Sequence, residues 1–291
     1  MDEKVAQRLR RHVRTLAGEI GERNVFRPDA LRAAEAYVRA ELAACGYALK
    51  AQTYGVRGVE SANLEVGCPG SAVPHEILIV GAHYDSVEGS PGADDNASGV
   101  AVLLELSRRF RGTTNDRTVR FVAFTNEEPP FFMSADQGSR VYARAVRERN
   151  EAIPLMISLE MLGYYDTAPG SQRYPPLLRH FYPPHGDFIA FVSNLRSRAA
   201  LERFTRAFRA ESDFPAESAA LPFWLPGVAW SDHFSFWMVG YPALMVTDTA
   251  FYRYAHYHTP HDTPEKLDYA RMARVVDGLY GAIRRLAAGG S

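Results

Sequence analysis

Cysteine is almost missing from this chain. Cys45 and Cys68 are the only two in 291 residues, which excludes a disulfide framework, and their spacing matches no zinc-finger pattern. Two free thiols, or one bridge between them, are the readings that remain. An excess of charge of either sign is missing too. With 33 Lys and Arg against 34 Asp and Glu, the net charge of −1 gives no reason to expect a nucleic acid or another polyanion as partner. Arg8, Arg10, Arg11 and Arg14 read as the solvated face of an amphipathic helix rather than as a basic arm. No apolar run approaches the ~20 residues that span a bilayer, and Met1-Asp2-Glu3-Lys4 does not open a secretory signal. No membrane association and a cytoplasmic location are therefore expected. Internal repeats and Gly-, Ser- or Pro-rich linkers are also lacking, so residues 1–291 are expected to form a single domain, with helices over about 2–45 packed on a larger core.

What is present is patterned apolar sequence. Hydrophobic residues at 46% against 23% charged are enough for a large core. Helical periodicity runs over Asp2–Ile20, Pro28–Cys45, Ser98–Phe110, Asp136–Arg149, Ser197–Arg209 and Pro264–Ala287. Short apolar, β-branched runs mark strands at Ala62–Val66, Glu76–Ala82, Thr118–Phe124, Leu155–Leu159, Phe188–Val192 and Ala243–Thr247. Strands that alternate with helices predict an α/β fold, a three-layer α/β/α sandwich around a mainly parallel mixed sheet. Asp166–Asp187 and Ala210–Pro226 read as irregular, and long loops of that kind shape or cover a site. His12, His75, His180, His185 and His261 are expected to face solvent.

The chemistry-bearing residues recur at one place in this pattern. Ile77-Leu78-Ile79-Val80 leads into Gly81-Ala82-His83-Tyr84-Asp85, and Asp94-Asp95 precedes the helix that follows. Phe121-Val122-Ala123-Phe124 leads to Glu127-Glu128, Met156-Ile157-Ser158-Leu159 to Glu160, and the last strand to His256-Tyr257-His258. Each segment delivers a His or a carboxylate just past the carboxyl end of a strand, the edge at which open α/β sheets bind ligands. Adjacent glutamates in a sheltered cleft repel each other, and are tolerated where a cation neutralises one or one holds a proton. Imidazole and carboxylate donors without thiolate suit zinc, and also cobalt or manganese. Two histidines and three carboxylates exceed one tetrahedral ion. A pair of ions fits better, with one carboxylate bridging and each ion taking one His and one further carboxylate. Such a centre, formally near +1, favours a bound hydroxide and brings the pKa of a water toward ~7.

Taken in order, these strings resemble those of the co-catalytic di-zinc aminopeptidases of metallopeptidase family 28. The resemblance rests on Gly81-Ala82-His83-Tyr84-Asp85-Ser86, Gly92-Ala93-Asp94-Asp95-Asn96-Ala97-Ser98-Gly99, Asn126-Glu127-Glu128-Pro129, Ser158-Leu159-Glu160-Met161-Leu162-Gly163, Ser231-Asp232-His233 and His256-Tyr257-His258-Thr259-Pro260-His261-Asp262-Thr263. It implies a zinc-exopeptidase-like fold and two zinc ions. Asp95 would bridge them, His83 and Glu160 completing one shell, Glu128 and His258 the other. It further implies Glu127 as general base, Asp85 as the residue that orients His83, and Tyr257 as a phenol that meets the developing oxyanion, with Tyr252 and Tyr254 as competitors for that place. Asp232 would fix a loop, His233 would pack beside it, and Asp94 would be structural. The implied reaction is removal of N-terminal residues from peptides with a free amino group, through a metal-bridging hydroxide, with apolar first residues favoured. Phe131-Phe132-Met133-Ser134 and Leu221-Pro222-Phe223-Trp224 are expected either to line a hydrophobic specificity pocket or to be ordinary packing. Glu160 stands where many members have Asp, and His261 where an acidic or polar residue is common.

Two competing functions stay open at this stage. Glutaminyl-peptide cyclotransferases resemble the same family and use a single zinc, but typically carry Trp before the last histidine, where this chain has Tyr257. A non-catalytic binding domain would be expected to have lost several ligands, whereas here every position is filled.

Overall fold

The computed structural model describes residues 3–175 and 178–288. Strand β3 (Val73–His83) shows how the sheet divides the core. Leu78, Val80 and Ala82 join one large apolar cluster, and Ile77 and Ile79 join a second cluster on the opposite face. Strand β4 (Arg117–Phe124) does the same, with Val119, Phe121 and Ala123 on one side and Val122 and Phe124 on the other. In β5 (Ala152–Glu160), Leu155, Ile157 and Leu159 oppose Met156. Strands covered on both faces have to be apolar throughout, and for that reason they stand out as unbroken runs.

These strands and β8 (Ala243–Thr247) lie parallel in the order β4-β3-β5-β8. At one flank β2 (Val59–Cys68) and β1 (Lys50–Val56) add antiparallel; at the other, β6 (Ile189–Ser193) runs antiparallel to β8, and β7 (Ala216–Ala220) parallel to β6. The result is one eight-stranded mixed sheet. The large cluster draws in α1 (Glu3–Val13), α2 (Pro28–Ala44), α3 (Gly99–Phe110), α5 (Arg198–Glu211) and α7 (Tyr269–Ala287). The second takes Tyr142 and Val146 of α4 (Gly138–Glu148) and Phe236 of α6 (His233–Met238). The expected three layers are present. Among the described residues no helix is long and apolar enough to cross a membrane.

Several boundaries differ from expectation for identifiable reasons. The first helix does not run regularly to Ile20: α1 ends at Val13 and passes into wider turns over Arg14–Ile20, closed by Gly21 at φ +80, while Asp2 lies outside the described residues. Helix α4 begins at Gly138, where a Cβ would lie 2.2 Å from the Thr125 carbonyl oxygen, so only glycine lets the helix start this close to β4. Strand β7 falls within the stretch expected to be irregular; Ala-Glu-Ser-Ala-Ala carries almost no strand signal. Strand β1 is half-exposed and polar, and α6 has only six residues, too few to show a period. Cys45 and Cys68 are both free.

His12 does not face solvent. It is 3% exposed, with Nδ1 2.7 Å from the Tyr37 hydroxyl, whereas His75, His180 and His261 are exposed and His185 is half-buried. Burial holds the His12 imidazole down at about 4. An unfolded histidine titrates near ~6.5, so the unfolded chain takes up this proton first. The contribution of His12 to stability is therefore intact above that pH and falls away as pH drops from ~6.5 toward ~4, by up to about 3 kcal/mol. His12→Asn should flatten the fall of the urea midpoint between neutral and acid pH; parallel pH profiles for variant and parent would refute the assignment.

Candidate metal centre

Strand direction assembles the site. His83 and Glu160 are the last residues of β3 and β5, and Gly81 pairs with Ser158, so the two candidate ligands end side by side on one face. Asp95 comes from the turn before α3, Glu127 and Glu128 from the residues just past β4, and His258 from the segment after β8. Three non-glycine residues at or beside these donors have positive φ: Asn126 at 54°, Met161 at 51° and His258 at 57°. Left-handed backbone in bulky residues costs of order 1–3 kcal/mol each and gathers where side chains must be aimed. The Asp95–Asn96 peptide is cis.

Asp95 stands at the middle. Its Oδ1 is 3.4 Å from His83 Nε2 and its Oδ2 is 3.1 Å from His258 Nε2, so its two oxygens face two separate imidazoles. Glu160 Oε2 lies 3.3 Å from His83 Nε2, and Glu128 Oε2 3.3 Å from His258 Nε2. Two groups result, His83–Asp95–Glu160 and Asp95–Glu128–His258, each able to hold a metal ion and sharing Asp95. The donors fit that purpose in a second respect. His83 Nε2, Glu128 Oε1 and His258 Nε2 are buried without a hydrogen-bond partner, a cost that a bound cation would remove. Glu127 Oε2 lies 3.9 Å from His83 Nε2, beside the donors.

The electrostatics favour positive charge. Burial alone would lower His83, but Glu160, Asp85 and Asp95 outweigh it and hold the imidazole well above its ordinary value. His258 is likewise pushed up to about 10 by Asp95 and Glu128 against its burial. Burial lifts Glu127 well above the carboxylate range and Glu128 to about 7, and raises Glu160. Asp95 goes the other way: the two imidazoles overcome its burial and hold it low.

Supporting contacts hold these groups in place, and apart from the expected approach of Asp85 to His83 they were not anticipated from sequence. Asp85 stands 3.5 Å from His83 Nδ1, and its two oxygens also accept from the backbone N–H of Glu127 and of Glu128, each at 3.1 Å. Asp262 accepts from the N–H of Asp94 at 2.9 Å and of Asp95 at 3.1 Å. Asn96 donates to the Leu159 carbonyl at 2.8 Å and accepts from Met161 N–H at 3.1 Å, tying the Asp95 turn to the end of β5. Ser231 donates to Glu160 Oε2 at 2.7 Å, and Gln137 donates to Glu127 Oε1 at 3.4 Å. Asp262 and Ser231 lie inside the motif strings, but their partners are set by tertiary contacts that no spacing reveals.

The remaining candidates separate clearly. Tyr254 and Tyr252 are engaged elsewhere, their hydroxyls on Asp262 Oδ1 at 3.1 Å and on the Pro226 carbonyl at 3.2 Å. Tyr257 stacks on His258, centroids 3.8 Å apart, and lines a cavity that begins at Glu160. Asp232 is buried, its carboxyl lifted by burial to about 7, and His233 packs against Trp237 with Nε2 2.8 Å from the Val228 carbonyl oxygen. Asp94 accepts from Gly163 N–H at 2.8 Å. Of the two readings left open for the apolar stretches, packing or exposure holds for most of their residues. Only Leu221 reaches the cavity; Phe131 is buried, and Phe223 and Trp224 are 56% and 70% exposed. Its walls come from Val228, Trp230, Phe251, Tyr252 and Tyr257.

Comparison with known proteins gives a consistent picture. The model of peptidase family M28 matches residues 63–283. The uncharacterized protein YfbL of Escherichia coli is 39% identical over 282 residues, which cover 94% of this chain and 86% of that one. Aminopeptidase YwaD of Bacillus subtilis is 35% identical over 109 residues, covering 34% of this chain and only 23% of the relative. Among solved structures, a zinc aminopeptidase from Bacillus subtilis superposes with a TM-score of 0.77 at 16% identity, covering 98% of this chain and 95% of that one. A glutaminyl cyclase from Fimbriiglobus ruber superposes with 0.68 at 20% identity, covering 96% and 94%. At those identities the two structures show the fold.

Asp262→Ala would leave the buried N–H groups of Asp94 and Asp95 without an acceptor. The metal-free chain should lose about 2 kcal/mol or more, read by urea denaturation. An unchanged midpoint would show that the Asp95 turn does not depend on this carboxylate.

Proposed function

The chain belongs to peptidase family M28, and from that premise we propose that it is a zinc-dependent aminopeptidase that removes the first residue of peptides bearing a free amino group. The observation that carries the reading is Asp95, whose two oxygens face two histidines, each completed by its own carboxylate. In this reading His83, Asp95 and Glu160 hold one zinc, and Asp95, Glu128 and His258 a second; cobalt or manganese would suit the same donors. Ions bound there supply Lewis acidity toward a peptide carbonyl and make a nearby water more acidic.

The chain's own residues do the rest. Glu127 takes the proton of the attacking water and returns it to the departing amine; its burial, which raises its proton affinity, suits both steps. Asp85 positions His83 and, through the N–H groups of Glu127 and Glu128, fixes where those carboxylates point. Tyr257 acts in this reading as the donor to the developing oxyanion, a role supported by its position in the cavity wall beside His258. The free amino group of the substrate docks at this carboxylate-rich edge, which confines cleavage to the first residue, and the first side chain enters the cavity beside Glu160.

Two full donor sets weigh against a single-zinc cyclotransferase, and the presence of every donor weighs against a binding domain without activity. Glu127→Gln should retain two zinc ions per chain by elemental analysis and lose at least ~100-fold in turnover of leucine p-nitroanilide. Full activity in the zinc-loaded variant would remove Glu127 from the mechanism. One ion per chain, with pyroglutamate formed from glutaminyl peptides, would favour the cyclotransferase.

A further inference from the structure

The register of the sheet links the metal centre to its far edge. Glu160 pairs with Thr247, Thr247 with Ala190, and Ala190 with Glu217. Paired residues project to the same face, so the four form one row across β5, β8, β6 and β7. At ~4.8 Å per strand, Glu217 stands about 14 Å from Glu160 between Cα atoms. All four line a single cavity, and Val192 and Met245, paired in the next row, line it as well. Helices α4 and α6 cover this face over the central strands. Over β6 and β7 the cover comes from loop residues such as Tyr174, Tyr182 and Trp230.

The row ends on a carboxylate without a partner. Among the described residues Glu217 has no hydrogen-bond or ion-pair partner. Arg209, the cation whose field reaches it, is 2.6 Å from the Ala216 carbonyl oxygen, and Arg173 at the cavity wall is 2.7 Å from that of Phe251. Tyr174 and Tyr182 stack beside it with centroids 5.8 Å apart, and their hydroxyls are engaged by the carbonyls of Pro183 and Ser218. They contribute ring surface to the wall rather than donors. Burial raises the Glu217 carboxyl, with the field of Arg209 opposing.

We propose that Glu217 determines specificity by reading the far end of the substrate's first side chain: the cavity takes a long, unbranched side chain with a cationic head, arginine or lysine, its methylenes lying along Thr247, Ala190 and Val192 and its charge meeting Glu217. Leucine ends well short of Glu217, whereas lysine and arginine reach further along the row and carry an apolar stem and a charged head in the order in which the row presents apolar floor and then carboxylate. A charge-assisted contact to a half-buried carboxylate that has no hydrogen-bond partner among the described residues is strong enough to discriminate. This inference deepens the aminopeptidase reading and depends on it for which end of the peptide enters.

The test compares ligands alike except for the charge, using the full-length zinc-loaded chain. Lysyl and arginyl p-nitroanilides should exceed norleucyl p-nitroanilide in kcat/KM by about tenfold or more, and Glu217→Gln should bring the lysyl-to-norleucyl ratio close to one. A parent enzyme with no such preference, or a variant that keeps it, overturns the proposal. Calorimetric titration with lysine hydroxamate and norleucine hydroxamate separates this outcome from failure of the aminopeptidase reading. If no anilide is cleaved, that reading fails alone. The cavity assignment then stands if lysine hydroxamate binds more tightly to the parent but not to Glu217→Gln, and falls if the two bind equally.

Discussion

Carboxylates withdrawn from water at one edge of the sheet set the terms for everything around them. Asp85, Asp94, Asp95, Glu127, Glu128, Glu160, Asp232, Asp248 and Asp262 are all buried there, and like charges so confined must be offset or protonated. Part of the offset is backbone. Asp85 and Asp262 each accept two amide N–H bonds, and Asp248 accepts from Tyr164 and Ala250. Those bonds also fix the turns that carry Asp95, Glu127 and Glu128, so the groups that are satisfied hold the groups that are not. Asp95, Glu128 and Glu160 converge on the Nε2 atoms of His83 and His258, and the two groups they form are able to hold cations.

Arg23 shows how positive charge is supplied without closing the site. It is fully buried, yet its guanidinium donates only to carbonyls, among them those of Tyr84 at 2.6 Å and Gly92 at 2.9 Å. It pins the strand end that bears His83 to the turn that bears Asp95, and contributes its field to Asp85, Asp262 and Asp95 without a direct ion pair. Glu105 is the contrast. There Arg8, Arg108 and Arg109 bind the carboxylate directly, overcome its burial and hold it at about 2. The same residue type is spent in structure where arginines close around it, and stays available for chemistry where they do not.

This division explains what could be read from sequence. The strands β3, β4, β5 and β8 are covered on both faces, so their composition is forced and their ends are visible as the points where apolar runs stop. His83, Glu127, Glu128 and Glu160 stand just past such points, and Asp95 and His258 are anchored by strings around them; the structure brings all six within a few ångström. The supports were hidden, because Asn96, Gln137, Ser231 and Asp262 gain their roles from partners distant in the chain. His12 misled for the converse reason: a histidine on a mostly charged helix gives no sign that Tyr37 will cover it.

The same physics accounts for why the cavity wall was hard to read from sequence. A sheet face that borders a cavity is not packed with branched side chains throughout, and where the strand is also at the edge, as in β7, the pattern that makes strands legible is lost. Ala190 and the Ala-Glu-Ser-Ala-Ala of β7 are small or polar on the cavity side and leave the wall to loops. Conspicuous aromatics such as Phe223 and Trp224 lie in solvent instead. Because β7 is an edge strand three steps from β5, its residues can change the floor of the cavity without disturbing the strand ends that carry the donors. The candidate donors and the residues that line the cavity thus sit on one sheet but answer to different constraints, the first to burial on both faces and the second to its absence.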